Sequence, residues 1–373
     1  MAFRRRVFYI PGFDPFPPRK YREIYRREGA AQARISGYDL SMKPSKGGWT
    51  VKSGDVETQV EVLVWTDIVQ ASMQTGIAAT YLQLVRTAWT YIASGALFRL
   101  ARLRKGPVIA ALYPVVALLL QLAVALLAGW LVAQVPWGWL ASLPVAWLVL
   151  RWFRRHDRIL AWYLMHDYAF SARYRGANPP ALEARMEAFR QRVAEAVASE
   201  VDEVLVVGHS SGAYIGVSVV ADVLRGGAEG PLALLTLGQV VPMVSFLPEA
   251  KRLRADLHDL ATADVPWVDV TAPGDGCAFA LCDPVAVSGV APEGKRWPLV
   301  VSAAFSQTLS PERWRALRWK FWTLHFQYLH AFDRGNYDYF AITAGPMTLR
   351  ERYAGRAPSK SRIETPLSGF TDR

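Results

Sequence analysis

Short apolar runs alternate with amphipathic stretches along most of the chain. The apolar runs are rich in Val, Leu and Ile, which is typical of strands buried on both faces of a parallel sheet, and the stretches between them repeat apolar residues at helical spacing. The pattern predicts strands at residues 7–10, 60–65, 203–207, 232–237, 267–271 and 298–302, and helices at residues 19–33, 182–199, 212–224, 253–260 and 311–330. This alternation predicts an α/β fold, a mostly parallel sheet with helices on both faces.

The middle of the chain departs from this alternation, because residues 106–150 include no charged side chain. A run of about 20 apolar residues is enough to cross a bilayer. Two apolar segments, residues 107–135 and 139–153, are joined by a short turn, so the pattern predicts a transmembrane helical hairpin at residues 106–153. The second segment is short and contains Pro144, and the alternatives are a monotopic hairpin or a buried hairpin in a soluble cap.

Positive charge is concentrated on both sides of the apolar segment. The net charge of the chain is +11, and basic residues flank the segment at Arg99, Arg102, Arg104, Lys105, Arg151, Arg154, Arg155 and Arg158. The positive-inside rule then predicts that both ends face the cytoplasm from the inner (cytoplasmic) membrane. Membrane lipids, rather than nucleic acid, are the predicted partners of the basic surplus. Residues 78–100, with polar positions at helical spacing, are predicted to form an amphipathic helix that leads into the membrane.

The apolar segment divides the chain into parts of one interrupted domain. The predicted parts are residues 1–105 with the lead-in helix, residues 106–153 as the hairpin, residues 154–353 as the main part, and residues 354–373 as a polar, flexible tail. Because Cys277 and Cys282 are the two cysteines of the chain, neither a disulfide framework nor a cysteine-based zinc site is predicted. No metal ion and no cofactor are expected.

One motif carries chemistry, Gly208-His209-Ser210-Ser211-Gly212, between a predicted strand and a predicted helix. A serine hydroxyl is a poor nucleophile unless a base removes its proton, and a sharp strand-to-helix turn lifts it to where a histidine can reach it. Glycines on either side leave room where a Cβ would clash. In this setting the motif resembles the nucleophile elbow of the α/β-hydrolase superfamily serine hydrolases, as in lipases and esterases. The resemblance covers roughly residues 7–67 and 160–344 and does not include the hairpin.

The resemblance implies three catalytic residues in the chain order nucleophile, acid, base. Ser210 is the expected nucleophile. Asp275 is the expected acid because it follows the fifth predicted strand, and His325 is the expected base because its apolar setting shields it from water. Asp283 and His330 remain the alternatives for the acid and the base.

The resemblance also implies an oxyanion hole built from two backbone N–H groups. The first belongs to Ser211, at the start of the helix that follows the nucleophile. The second belongs to Phe13, in the loop after the first strand, where Gly12 lets the backbone come close to the reacting atoms.

These observations predict a membrane-tethered serine hydrolase that cleaves an ester through an acyl-Ser210 intermediate. The membrane location suggests a lipid or another acylated molecule as substrate. The same residues would serve an acyltransferase or a thioesterase, and a catalytically inactive membrane scaffold is the non-enzymatic alternative. Acyl length and oligomeric state stay open at this point.

Overall fold

The computed structural model describes residues 2–335 and 337–373, and within them eight strands form one sheet. In chain order the strands are β1 (Phe3–Ile10), β2 (Ser41–Ser45), β3 (Gly48–Ser53), β4 (Val56–Val62), β5 (Glu203–His209), β6 (Leu232–Leu237), β7 (Trp267–Thr271) and β8 (Leu299–Ser302). Their order across the sheet is β2-β3-β4-β1-β5-β6-β7-β8. From β4 to β8 neighbouring strands are parallel, and β2, β3 and β4 are antiparallel. The sheet is therefore mixed but mostly parallel, compatible with the predicted α/β fold.

Helices connect the strands and cover both faces of the sheet. They are α1 (Pro18–Ser36), α2 (Thr66–Met73), α3 (Ile77–Ala93), α4 (Ala96–Leu103), α5 (Lys105–Ala133), α6 (Trp139–Arg155), α7 (Ala161–Arg173), α8 (Pro180–Val197), α9 (Gly212–Arg225), α10 (Val241–Ser245), α11 (Lys251–Thr262), α12 (Pro284–Val287), α13 (Phe305–Thr308), α14 (Pro311–Leu317), α15 (Phe321–His325), α16 (Tyr339–Ala344) and α17 (Leu349–Arg352), with a 3₁₀ turn at Gln327–Leu329. Helices α8, α9 and α11 pack on one face, and α1 and α16 pack on the other.

The central strands are apolar at every position because both of their faces are covered. In β5, Val204 and Val206 belong to the hydrophobic core on one face, whereas Leu205 and Val207 belong to the core on the other. Residues of a strand point alternately to its two faces, so a continuous apolar run fits this position in the sheet. The covered strands end at one edge of the sheet, where the loops after β1, β5 and β7 meet.

The structure departs from the predicted elements where the sequence pattern is polar or mixed. The β2–β3 hairpin was not predicted, because its exposed edge strand is mostly polar and lacks an apolar run. The strand predicted at residues 60–65 is β4, which ends at Val62 before α2 begins at Thr66. The helix predicted at residues 311–330 is divided into α14, α15 and the 3₁₀ turn.

The long apolar segment forms two helices of unequal length. Among the described residues, α5 is the one helix that is long and apolar enough to cross a membrane; it has 29 residues, and 28% of its most apolar window is buried. Helix α6 has 17 residues and contains Pro144, so it is short of the length of about 20 residues that a span needs. The predicted transmembrane hairpin is therefore reduced to one candidate spanning helix followed by a shorter helix that packs against it.

The segment predicted as a single amphipathic helix at residues 78–100 is divided into α3 and α4 at Gly95, whose φ is +72°. Helix α3 carries large apolar side chains on its exposed side as well as on its buried side, where Leu84 and Tyr91 lie. Thr80 and Thr87 of α3 are buried, whereas Val85 and Trp89 are 61% and 71% exposed. The outward side of α3 therefore presents large apolar side chains to the surroundings, as the exposed side of α5 also does.

Residues 354–373, predicted as a flexible tail, pack along the body of the protein instead. The Ile363 N–H donates to the Leu281 carbonyl over 2.7 Å, and the Asp283 N–H donates to the Ile363 carbonyl over 2.9 Å. Near the end of the chain, the buried Arg254 guanidinium donates to the Asp372 carboxylate over 2.7 Å. The polar composition suggested a free tail, but these long-range hydrogen bonds satisfy backbone and side-chain groups that the composition alone does not reveal.

Candidate active site

Ser210 lies at the turn between β5 and α9 in a strained backbone conformation. Its φ is +57°, a value that non-glycine residues rarely adopt. A Cβ added at Gly208 would lie 2.5 Å from the Gly212 carbonyl oxygen, and one added at Gly212 would lie 2.1 Å from the Ile10 carbonyl oxygen. Both glycines are therefore required by the close approach of the turn to its neighbours, and together they hold the serine above the end of the sheet.

His325 and Asp275 form a buried hydrogen-bonded pair although they are far apart in the chain. The distance between His325 Nδ1 and Asp275 Oδ2 is 2.8 Å. The same carboxylate oxygen accepts a hydrogen bond from the Tyr328 hydroxyl over 3.0 Å, and the other oxygen accepts one from the Cys277 N–H over 2.9 Å. These contacts fix the carboxylate and leave Nε2 as the imidazole nitrogen that is free to face a reacting group.

The two partners shift each other's pKa in opposite directions. Burial by itself would raise the pKa of Asp275, but the adjacent His325 and the hydrogen bonds to the carboxylate hold that pKa below its ordinary value. Burial by itself would lower the pKa of His325, but the Asp275 carboxylate outweighs burial and holds that pKa above its ordinary value. The pair therefore favours an ionised acid beside an imidazole of increased basicity, which suits proton abstraction.

Ser210 and His325 line the same cavity, whose volume is about 230 Å³. Over the described residues, the Ser210 hydroxyl and the His325 ring make no direct hydrogen bond with each other. Catalytic hydrogen bonds are often long without substrate and shorten in the reacting complex. A serine hydroxyl and a basic imidazole thus face one shared space.

Two backbone N–H groups beside Ser210 have no hydrogen-bond acceptor among the described residues. In the parts of the chain that are described, neither the Phe13 N–H nor the Ser211 N–H donates a hydrogen bond, although both residues are almost completely buried. A Cβ added at Gly12 would lie 2.9 Å from the Ser210 Cβ, so the loop after β1 passes directly against the serine. Unpaired buried N–H groups are rare, and a pair of them next to a nucleophile can bind an oxyanion.

Aromatic side chains hold the loop that carries Phe13 in place. The Trp65 indole N–H donates to the Pro11 carbonyl over 2.9 Å, and the Tyr163 hydroxyl donates to the Phe13 carbonyl. Asp14, which follows in the chain, accepts a hydrogen bond from the Tyr21 hydroxyl over 2.8 Å. Burial raises the pKa of Asp14, and this hydrogen bond partly offsets the shift.

The structure brings together Ser210, Asp275 and His325, and it separates the two alternatives from them. The Asp283 carboxylate caps the N-terminus of α12 and is 2.5 Å from Lys295 Nζ, so it is occupied by a structural role. The Nδ1 atom of His330 is 2.7 Å from the Phe326 carbonyl oxygen, and His330 does not line the cavity within the described structure. The geometry therefore favours Asp275 over Asp283 as the candidate acid and His325 over His330 as the candidate base.

His209 is a neighbour of the site that the sequence did not assign. Its Nε2 lies 2.9 Å from the His325 carbonyl oxygen, and the two rings are 5.0 Å apart between centroids. Burial, with a smaller effect from His325, lowers the pKa of His209 to about 3, so the ring is neutral and donates from Nε2. His209 therefore positions the backbone of His325. The sequence signal was adjacency to Ser210, which does not distinguish this role from a place in the turn.

Asp167 of α7 is a second residue that the sequence did not single out. It lines the cavity together with Ser210 and His325. Burial raises the pKa of Asp167 to about 7, and the nearby charge of Asp14 adds to the shift. A carboxyl group that changes charge near neutral pH thus lies in the wall of the cavity. Nothing in the local sequence around Asp167 indicates this, because α7 approaches the site only through the tertiary fold.

One group of side chains in the site also has the composition of a metal site. The potential ligand atoms of Asp275, Cys277 and His325 all lie within 4.8 Å of one another. Three protein ligands are typical of catalytic zinc. However, a metal bound here would replace the 2.8 Å hydrogen bond between His325 Nδ1 and Asp275 Oδ2, and burial keeps the pKa of the Cys277 thiol well above its ordinary value. The hydrogen-bonded pair explains these contacts without a metal ion.

No protein-family model, curated protein or solved structure matches this chain. The functional assignment therefore depends on the geometry of the site itself.

Proposed function

We propose that this protein is a serine hydrolase of the α/β-hydrolase type, in which Ser210, His325 and Asp275 act as nucleophile, base and acid. The observation that carries the proposal is the strained turn of Ser210, with φ at +57°, in the same cavity as a histidine hydrogen-bonded to a buried aspartate. Backbone strain of this kind is concentrated at functional sites. A purely structural turn needs neither the strain nor the paired imidazole.

The proposed reaction is acyl transfer in two steps. In the first, the Ser210 Oγ attacks the ester carbonyl carbon while His325 Nε2 takes the hydroxyl proton, and the imidazolium then gives that proton to the departing alcohol. In the second, His325 removes a proton from water, the resulting hydroxide attacks the acyl-serine, and the proton returns to Ser210 Oγ as the carboxylic acid leaves. Asp275 orients the imidazole and stabilises its charged form throughout.

The free N–H groups of Phe13 and Ser211 serve the tetrahedral intermediates of both steps. Negative charge develops on the former carbonyl oxygen, and donors that are already in place stabilise it without reorganisation. Each such donor is worth about 10²–10³ in kcat. The position of Ser211 at the N-terminus of α9 adds the favourable end of the helix dipole.

The proposal includes attachment to the inner (cytoplasmic) membrane through α5 together with α6, with the hydrolase domain in the cytoplasm. The α5–α6 pair enters the bilayer and returns to the same side, because the strands before it and the strands after it form one sheet. Supporting observations are the length of α5, the small buried share of its apolar window, and basic residues at both ends of the apolar segment. Several tryptophans near the α5–α6 turn, including Trp137 at 77% and Trp139 at 63% exposure, fit an interfacial position. An ester embedded in the membrane is then the natural class of substrate.

The proposal is tested by reacting the full-length protein with a fluorescent fluorophosphonate and by following hydrolysis of a short p-nitrophenyl ester. Wild type is expected to react in both assays, Ser210→Ala in neither, and the surface variant Ser199→Ala as wild type does. Failure of the wild type to react, or equal reaction of Ser210→Ala, contradicts the proposal. Product analysis with added alcohols separates hydrolysis from transfer of the acyl group to another acceptor.

A further inference from the structure

The wall of the cavity that contains Ser210 has a polar part and an apolar part. The polar part comprises the groups of the site, including His325 and Asp167. Away from them the wall is formed by apolar side chains of the helices outside the sheet, among them Leu100 of α4 and Val108 and Val115 of α5. A hydrocarbon chain gains free energy by leaving water for such a wall, and a polar molecule does not.

The cavity has its mouth between α3 and α5. Two of its lining side chains are also exposed at the outer surface, Ile92 of α3 at 47% and Leu112 of α5 at 42%. A side chain that both lines a cavity and meets the surroundings lies at an opening. The mouth is therefore formed by the helix that leads into the apolar segment and by the one candidate membrane-spanning helix.

The surface around this mouth is apolar rather than charged. Next to Ile92 on α3 is Trp89 at 71% exposure, and on either side of Leu112 on α5 are Ile109 at 66% and Val116 at 54%. Large apolar side chains exposed in such number on neighbouring turns are uncommon in proteins surrounded by water and mark contact with an apolar phase or a partner. A mouth in this surface opens toward hydrocarbon if α5 lies in the bilayer.

We propose that the cavity is a binding site for one acyl chain of a membrane lipid ester, which enters sideways from the bilayer between α3 and α5. This inference rests on the proposed function, because it places the ester carbonyl at Ser210 and the chain in the apolar part of the cavity. The chain passes Ile92 and Leu112, so it stays in an apolar environment from the bilayer to the reaction site. The headgroup end remains near the polar groups around Ser210.

The inference is tested with two fluorophosphonates that differ only in carrying an ethyl or a dodecyl chain. Their labelling rates are measured on the full-length protein in nanodiscs of phosphatidylcholine and phosphatidylglycerol. The readout is the ratio of the dodecyl rate to the ethyl rate, which cancels differences in folded fraction between variants. Because each buried methylene contributes a few-fold to affinity, wild type is expected to favour the long chain by about tenfold or more.

Bulky side chains at the mouth are expected to lower this ratio. Ile92→Trp and Leu112→Trp should each reduce it about tenfold, since one methylene of misfit in an apolar pocket already changes selectivity by that factor. Val85→Trp and Leu126→Trp are matched controls, because both positions are exposed on the same helices and neither lines the cavity. They should keep the wild-type ratio.

The outcomes separate this inference from the proposed function. Absence of labelling by either probe contradicts the proposed function. Labelling by both probes with a ratio that the mouth variants leave unchanged contradicts the acyl-chain site alone.

A second measurement does not depend on turnover. A phosphatidylcholine with a diazirine in its acyl chain is irradiated with Ser210→Ala in the same nanodiscs, and the cross-linked residues are mapped. Cross-links to Tyr91 and Met243, which line the cavity and are 8% and 6% exposed, support the inference. Cross-links confined to exposed positions, or none because a second copy of the chain covers the α3–α5 surface, contradict it.

Discussion

The edge of the sheet around Ser210 and the helical layer from α3 to α6 place polar and apolar groups in opposite ways. At the edge of the sheet, carboxyl and imidazole groups such as Asp275, His325 and His209 are buried. In the helical layer, large apolar side chains such as Trp89 and Leu120 are exposed. Burial of ionisable groups is costly unless they are paired or used, and exposure of apolar groups is costly in water. The proposed function accounts for both regions, the first as the site of the chemistry and the second as the part that meets the bilayer.

The largest expected effect is the loss of activity when Asp275, the proposed acid near the end of the sheet, is replaced. Asp275→Asn keeps the shape of the side chain but removes the charge that orients and stabilises the protonated imidazole, so ester hydrolysis should fall about 10⁴-fold. The rate is measured as kcat/KM on a short p-nitrophenyl ester. The matched variant Asp283→Asn should retain activity in proportion to its folded fraction, measured by circular dichroism. A larger loss in Asp283→Asn than in Asp275→Asn contradicts the assignment of the acid.

The next effect tests the second region at the centre of its longest helix. Leu120 is 62% exposed, and an arginine there costs about 2.5–3.5 kcal/mol if the helix centre lies in hydrocarbon. Leu120→Arg is therefore expected to move the protein from the membrane fraction to the soluble or aggregated fraction. Ile35→Arg, at an exposed apolar position of α1, should stay in the membrane fraction. Equal membrane recovery of the two variants on alkaline extraction would show that α5 does not lie in the bilayer.

A smaller loss of activity is expected when the loop after β1 is disturbed, and it tests how that loop is placed against Ser210. A Cβ at Gly12 would lie 2.9 Å from the Ser210 Cβ, so Gly12→Ala must displace either the loop or the nucleophile. Misplacement on this scale costs about 10²-fold in rate. Gly76→Ala is the matched control, because a Cβ there meets no atom within 4 Å. Comparable kcat/KM values for the two variants would mean that the loop after β1 is not part of the reacting arrangement.

The smallest expected effect is a change in pH dependence. Burial opposes the charge on His325, but Asp275 outweighs it, and Asp14 and Asp167 also raise the pKa of His325. The base must be neutral to accept a proton, so kcat/KM falls as the pH drops through this raised pKa.

Asp167→Asn removes one of the negative charges that raise the pKa of His325. The acidic limb of the profile should therefore move to lower pH. Asp264→Asn is the control, because the Asp264 side chain is 79% exposed and pairs with Arg350. A limb that stays in place, or moves to higher pH, contradicts the electrostatic role of Asp167.

The sequence pattern predicted the fold where the signal is local. The strand Trp267–Thr271 was predicted with the bounds that the structure has, and the turn with Ser210 follows from neighbouring residues alone. The β2–β3 hairpin was missed because edge strands need no apolar run. The apolar segment indicated two spans, whereas α5 alone among the described helices is both long enough and apolar enough to cross a membrane.

The candidate site was predictable only where its residues carry a local signal in the sequence. Chain order proposed Asp275 and His325, but their hydrogen bond joins residues 50 positions apart, and no local pattern distinguishes them from Asp283 and His330. His209 and Asp167 acquire their positions only when separate helices and loops pack around the cavity. Residue types can be listed from a sequence, but contacts that depend on tertiary packing cannot.

The central claim is that Ser210 is an activated nucleophile, and adduct mapping tests it most directly. The full-length protein is treated with a fluorophosphonate, digested, and analysed by mass spectrometry to locate the modified residue. The account predicts one adduct, on Ser210, that disappears in His325→Gln and persists in His330→Gln. An adduct on another residue, or none on Ser210 in folded wild-type protein, would contradict it.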